Sequence, residues 1–169
     1  IEAIEKYVQW NIAADRKIPS LKNLQALIWE GGYTSGEIVG QMFADVPKEL
    51  AALHQQGVKI YIYSSGSRPA QNLLFKYSSH GDLRALLSGF FDTSSGPKHE
   101  ASSYENIALS LGLDTPSEGL FVTDVLQEAN AAKAAGFQVL LSVRPGNVPI
   151  VDKHDFKAIT TFENLLANK

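Results

Sequence analysis

Residues 58–68 read VKIYIYSSGSR, an alternating apolar run, rich in β-branched and aromatic residues, that stops in Ser-Ser-Gly-Ser. Alternation of this kind is the period of a strand. The tetrapeptide after it has two readings. Hydroxyls and bare amides just past a strand can cradle a phosphate, with Ser64 and Ser65 donating and Gly66 letting the backbone come close. The same residues can instead form a strand-to-helix turn with Ser67 as the N-cap.

On either side of this strand the same unit recurs. A helix capped by Asp45, with Pro47 in its first turn, runs to Gly57 and leads straight into VKIYIY. A helix around Gln71 to Tyr77 precedes LLSGFFD, and one around Ser103 to Leu111 precedes GLFVTD. An Ala-rich helix over 126–135, closed by Gly136, precedes QVLLSV. Strand alternating with helix predicts a mostly parallel sheet covered on both faces, a three-layer, Rossmann-like α/β fold. Ligands of such sheets collect at the carboxyl ends of the strands. Ser64 and Asp124 both fall on that rim. PGNVPIVDKHD (145–155) reads as loop, and TFENLLANK (161–169) as a last short helix or tail.

The first 43 residues obey a different pattern. Ile1, Ile4, Val8 and Ile12 recur at helical spacing, Pro19-Ser20 offers a break and a cap, and Leu21, Leu24, Leu27 and Ile28 form a stripe that Gly31-Gly32 should end. A shorter helix over SGEIVGQMF is expected next. With nothing β-like between them, these segments predict a small helical lobe, 1–43, beside an α/β core, 44–169. The chain opens at Ile1 inside an uncapped helical pattern, so a preceding segment is expected.

A length of 169 residues accommodates one domain with a small accessory lobe. The formal charge of -3, with both signs interspersed, provides no basic field for a nucleic acid or an anionic membrane. A small molecule or a protein is the expected partner. The absence of cysteine excludes disulfides and thiolate metal sites. No apolar run approaches the roughly 20 residues of a membrane helix, and no signal-peptide pattern opens the chain. A soluble, cytoplasmic protein is expected, with the nucleus a second location.

Several side chains could carry chemistry. Asp124 ends an apolar strand, where a carboxylate can bind a hard cation such as Mg²⁺ or cap the next helix. Glu128, one turn on, would either support that site or be a solvated helical residue. Lys98, in SSGPKHEAS, could offset the charge of a phosphate or carboxylate, or be an isolated surface lysine. His54, His80, His99 and His154 show no metal spacing and read as surface residues. Trp29 and Tyr33 either face a cleft or pack within the helical lobe.

A strand ending in Ser, a loop Lys and a strand ending in Asp, in that order, is similar to the second, third and fourth motifs of the haloacid-dehalogenase-like phosphohydrolases. Within that superfamily the chain resembles the enolase-phosphatase (acireductone synthase) family of methionine salvage. FADVP, VKIYIYSSGS, AQNLLF, GDLRALLSGFFDT, GPKHEASSY, LFVTDVLQEANAA and VRPGN carry the resemblance over nearly the whole chain. It implies that Ser64 and Ser65 hold the substrate phosphoryl group, Lys98 offsets its charge, and Asp124 ligates Mg²⁺. It also implies a cap that the helical lobe would partly form, a monomeric state for the intact protein, and the substrate 2,3-diketo-5-methylthiopentyl-1-phosphate.

The superfamily's first motif, Asp-x-Asp or Asp-x-Glu followed by Gly-Thr, supplies the nucleophilic aspartate. No aspartate of this chain is followed by it. In the resembled family that motif ends the central strand, between those leading to Ser64 and Asp124. The 169 residues alone are therefore expected to fold poorly and to turn over nothing. A degenerate, non-catalytic binding module and a phosphatase for another small phosphomonoester are the alternatives.

Overall fold

Period-two patterning sorts the strand residues onto two faces. The computed structural model describes residues 2–14, 16 and 18–168; Ile1 and Asp15 lie outside them. Three core helices precede the first three strands: α3 (Asp45–Gln55) before β1 (Tyr61–Tyr63), α4 (Arg68–Lys76) before β2 (Gly89–Phe91), and α5 (Ala101–Leu111) before β3 (Leu120–Thr123). α6 (Leu126–Ala134), β4 (Gln138–Ser142) and β5 (Lys157–Ile159) complete the core.

Every strand pairing is parallel, with Tyr61 opposite Gly89, Leu120 opposite Gln138 and Leu140 opposite Lys157. On one face Leu53 of α3 packs with Leu140 and Ile159, joined by Ile60, Leu120 and Val122. On the other, Tyr104 of α5 and Ala131, Ala132 and Ala135 pack with Tyr63, Phe121 and Val139. Leu120 and Val122 thus face one layer and Phe121 the other, as alternation requires. The expected three-layer α/β architecture is present.

The strands divide into a β1–β2 pair and a β3–β4–β5 sheet. A cavity of about 600 Å³ separates the halves and is lined by Ile60, Tyr63, Leu120 and Val122 among others. Both β1 and β3 present an unpaired edge to it. Tyr104 spans the two halves, its ring 5.7 Å from that of Tyr63 and 5.0 Å from that of Phe121.

The N-terminal segment forms α1 (Glu2–Ala13) and α2 (Pro19–Ser35). Contrary to expectation, Gly31-Gly32 does not end α2. Each glycine there weakens a helix by about 1 kcal/mol without stopping it, and the space at Gly32 is taken by the side chain of Ile38. Termination comes at Gly36, whose φ of 81° supplies the left-handed C-cap. The expected helix over 35–43 is also missing. Gly40 instead pairs with the end of α4, its N–H donating to Tyr77 O at 2.8 Å and its carbonyl accepting from Ser79 N–H at 2.8 Å. That pairing holds the link between lobe and core extended. Tyr33 is buried and stacks on Tyr77 at 5.8 Å, so it packs on the core, whereas Trp29 is exposed.

Three further expectations need correcting. β5 falls between the segments read as loop and tail, because only three residues pair there and only Ile159 is buried. Asp45 does not cap α3; Ala44 occupies that position without a side-chain cap bond. The Asp45 carboxylate instead accepts a bidentate pair from Arg144 at 2.7 and 2.6 Å, and the Phe162 N–H at 2.7 Å. His154 is half-buried rather than fully on the surface, with Nδ1 buried.

Candidate active site

Ser64 leaves β1 with its N–H donating to Phe91 O at 3.1 Å, which extends the β1–β2 ladder by one bond. Its Oγ accepts from Gly66 N–H at 3.1 Å, and Ser67 Oγ accepts from Ala70 N–H at 3.4 Å. Ser67 therefore caps α4, as the turn reading expects. Gln71, buried on α4, clamps the loop by donating to Gly66 O at 2.8 Å and Phe91 O at 2.9 Å. Ser65 is exposed and its side chain makes no bond among the described residues.

Lys98 sits in the loop entering α5, and three contacts set that loop. Ser103 Oγ donates to Pro97 O, Tyr104 OH to Lys98 O and Tyr63 OH to Gly96 O, each at 2.7 Å. Burial pushes both phenols above their ordinary range, Tyr104 the more strongly, so they stay protonated donors. Gly96 has φ of 119°, and a Cβ there would collide with Ser103 Oγ. Only glycine suits this turn.

The loop delivers the Lys98 ammonium to Glu128, with Nζ 2.7 Å from Oε1. Thr123, the last residue of β3, donates its hydroxyl to Glu128 Oε2 at 2.7 Å. Glu128 is thus a buried residue and not a solvated helical one. Two donors satisfy its charge, which is what burial of a carboxylate demands. Its sequence signal was its spacing of one turn after Asp124, but its partner Lys98 comes from a different unit of the fold.

Asp124 follows Thr123 and is exposed. It does not cap α6, which has Val125 at the N-cap position and no side-chain cap bond. Its Oδ2 accepts from Asn147 Nδ2 at 2.8 Å, while Oδ1 has no partner among the described residues. Lys98, Glu128 and Asp124 line the same inter-sheet cavity, whereas Ser64 and Ser65 are not among its lining. A second cavity, of about 290 Å³, opens beside Asp124 and is lined by Phe43, Arg144 and Asn147. No group of three or more acidic, histidine or cysteine side chains among the described residues could hold a metal ion by itself.

The site thus places a lysine, a buried carboxylate and an exposed carboxylate together beside the strands of a parallel α/β fold. Residues 4–136 match the haloacid dehalogenase-like hydrolase family, and the chain belongs to that family. It is 55% identical over 165 residues to a Vitis vinifera protein named "Probable bifunctional methylthioribulose-1-phosphate dehydratase/enolase-phosphatase E1 1", a match covering 98% of this chain and 32% of that protein. A similarly named protein of Oryza sativa subsp. indica is 53% identical over the same length. The chain spans about a third of the length of these relatives. Among solved structures, the UTR4 protein of Saccharomyces cerevisiae is 36% identical with a TM-score of 0.85, covering 96% of this chain and 74% of that one.

Proposed function

We propose that this chain is the greater part of the phosphatase unit of an enolase-phosphatase, acting on 2,3-diketo-5-methylthiopentyl-1-phosphate to give acireductone in methionine salvage. The observation that carries it is the Lys98–Glu128 pair beside Asp124 in one cavity. The names of the plant relatives carry the enolase-phosphatase activity, and the family resemblance implies the substrate. On this proposal residues 44–169 are the catalytic core and 1–43 belong to a cap that shields the reaction from water.

Phosphoryl transfer is mostly positioning and stabilisation of charge on the transferring oxygens. Lys98, oriented by Glu128, presents a cation to those oxygens, and the Ser64 and Ser65 hydroxyls donate to them. Asp124 provides one free carboxylate oxygen on the same rim. Mg²⁺ takes oxygen ligands, is usually held by one or two carboxylates and keeps several waters. Asp124 fits as one ligand of such a shared ion. When bound, the metal supplies charge that stabilises the phosphoryl oxygens and an enolate. The nucleophilic aspartate is not among these residues, so they account for holding the phosphoryl group and offsetting its charge.

The test is release of phosphate and formation of the ultraviolet-absorbing acireductone by the full-length protein with magnesium, comparing the parent with Lys98→Ala and Asp124→Asn. Both variants should lose both products. Phosphate release only from unrelated phosphomonoesters would reassign the substrate, and no turnover by the parent would favour a non-catalytic binding module.

A further inference from the structure

Asn147 lies in the loop after β4. Its amide is held at both ends. Oδ1 accepts from the Arg144 N–H at 2.6 Å, and Nδ2 donates to Asp124 Oδ2 at 2.8 Å. The amide's orientation follows from chemistry, since the Arg144 N–H needs an acceptor and the carboxylate needs a donor. Arg144 in turn is anchored: its guanidinium is paired with Asp45, at the start of α3, and lies 4.0 Å from the centre of the Phe43 ring. Thr161 Oγ1 and Phe162 N–H complete the hold on Asp45, at 3.1 and 2.7 Å.

We propose that Asn147 is a positioning residue that fixes the Asp124 carboxylate for a divalent cation, its own aim being set by the Arg144–Asp45 clamp. The inference rests on Asp124 being a metal ligand. Asp124 is exposed and would otherwise rotate freely about its side-chain bonds. The Asn147 bond occupies Oδ2 and leaves Oδ1 as the open donor. A neutral amide does this without cancelling the charge, whereas a lysine or arginine in its place would compete with the cation. Residues that orient metal ligands in this way typically change metal affinity 10- to 100-fold when removed.

The experiment is calorimetric titration of Mg²⁺ into the full-length protein and its Asn147→Ala, Asn147→Ser and Asp124→Asn variants, alongside melting temperatures without metal. Serine can still accept from the Arg144 N–H but is too short to reach Asp124, so it retains the loop and removes only the hold. The expected result is Mg²⁺ binding weakened about tenfold in both Asn147 variants, an unchanged metal-free melting temperature for Asn147→Ser, and recovery of turnover at high Mg²⁺. Parental Mg²⁺ affinity in Asn147→Ser, with binding lost in Asp124→Asn, overturns this inference alone. A parent that binds no Mg²⁺, or an Asp124→Asn variant that binds it as tightly as the parent, overturns the metal-site assignment and the inference with it.

Discussion

Lys98 and Glu128 meet at 2.7 Å across the join between the loop entering α5 and the first turns of α6, with 28% and 12% of their side chains exposed. The pair determines where the cation of the site stands, because the Glu128 carboxylate is itself fixed by Thr123 at the end of β3.

Removing either partner should affect both rate and stability. In the full-length protein, Lys98→Ala should lower kcat by about 10²- to 10³-fold, the scale of losing one charge-stabilising donor. Each variant should also lower stability by about 2 kcal/mol, Lys98→Ala by leaving the buried Glu128 carboxylate without its cation and Glu128→Ala by stranding a half-buried ammonium and the Thr123 hydroxyl. Steady-state kinetics paired with urea denaturation measures both effects. Parental stability in either variant would mean that the pair is not a structural anchor.

The Asp45–Arg144 clamp predicts a pH dependence. Arg144 holds the Asp45 carboxyl well below the usual carboxylate range. A depressed folded-state pKa contributes stability above the unfolded value of about 3.9 and loses it as the pH falls through the folded one. Asp45→Asn should therefore cost about 3 kcal/mol at pH 7, with the gap to the parent narrowing below about pH 4. Urea midpoints at pH 7, 5 and 3 provide the check, and a gap that stays constant would rule the clamp out as the cause.

Gly96→Ala should act on the site from outside it. The left-handed backbone and the collision with Ser103 would displace the loop, at about 2 kcal/mol, and carry Lys98 away from Glu128. Tyr104→Phe removes only the bond to Lys98 O and should cost about 1 kcal/mol, with a smaller loss of activity. A Gly96→Ala protein that retains parental kcat would show that this loop does not set the lysine.

A polypeptide limited to these 169 residues should self-associate. The β1 and β3 edges are unpaired along an apolar cavity, and such edges recruit other strands. Light scattering and dye binding by exposed apolar surface should reveal this, together with no phosphatase turnover. A monodisperse monomer that binds no dye would mean that the cavity is tolerated as it stands.

The α/β class could be read along the chain because its signals are local. Alternation in VKIYIY already assigns Ile60 and Tyr63 to opposite layers, and Gly57, Gly112 and Gly136 punctuate the units as left-handed glycines. Boundaries resting on a tertiary contact were not readable. α2 passes through Gly31-Gly32 because Ile38 folds back onto it, and no helix forms over residues 37–43, where Gly40 pairs at the end of α4.

The order Ser64, Lys98, Asp124 and their places at strand ends are properties of the chain itself, since strand–helix alternation brings loop residues to a common rim. The duties of Glu128, Asn147 and Asp45 are not. Each depends on a partner far along the chain: Glu128 on Lys98, Asn147 on Asp124, and Asp45 on Arg144 and Phe162. Whether a carboxylate caps a helix, faces solvent or anchors a cation turns on which donors reach it after folding. Desolvation and hydrogen bonding act through space, and no pattern of neighbouring residues encodes them.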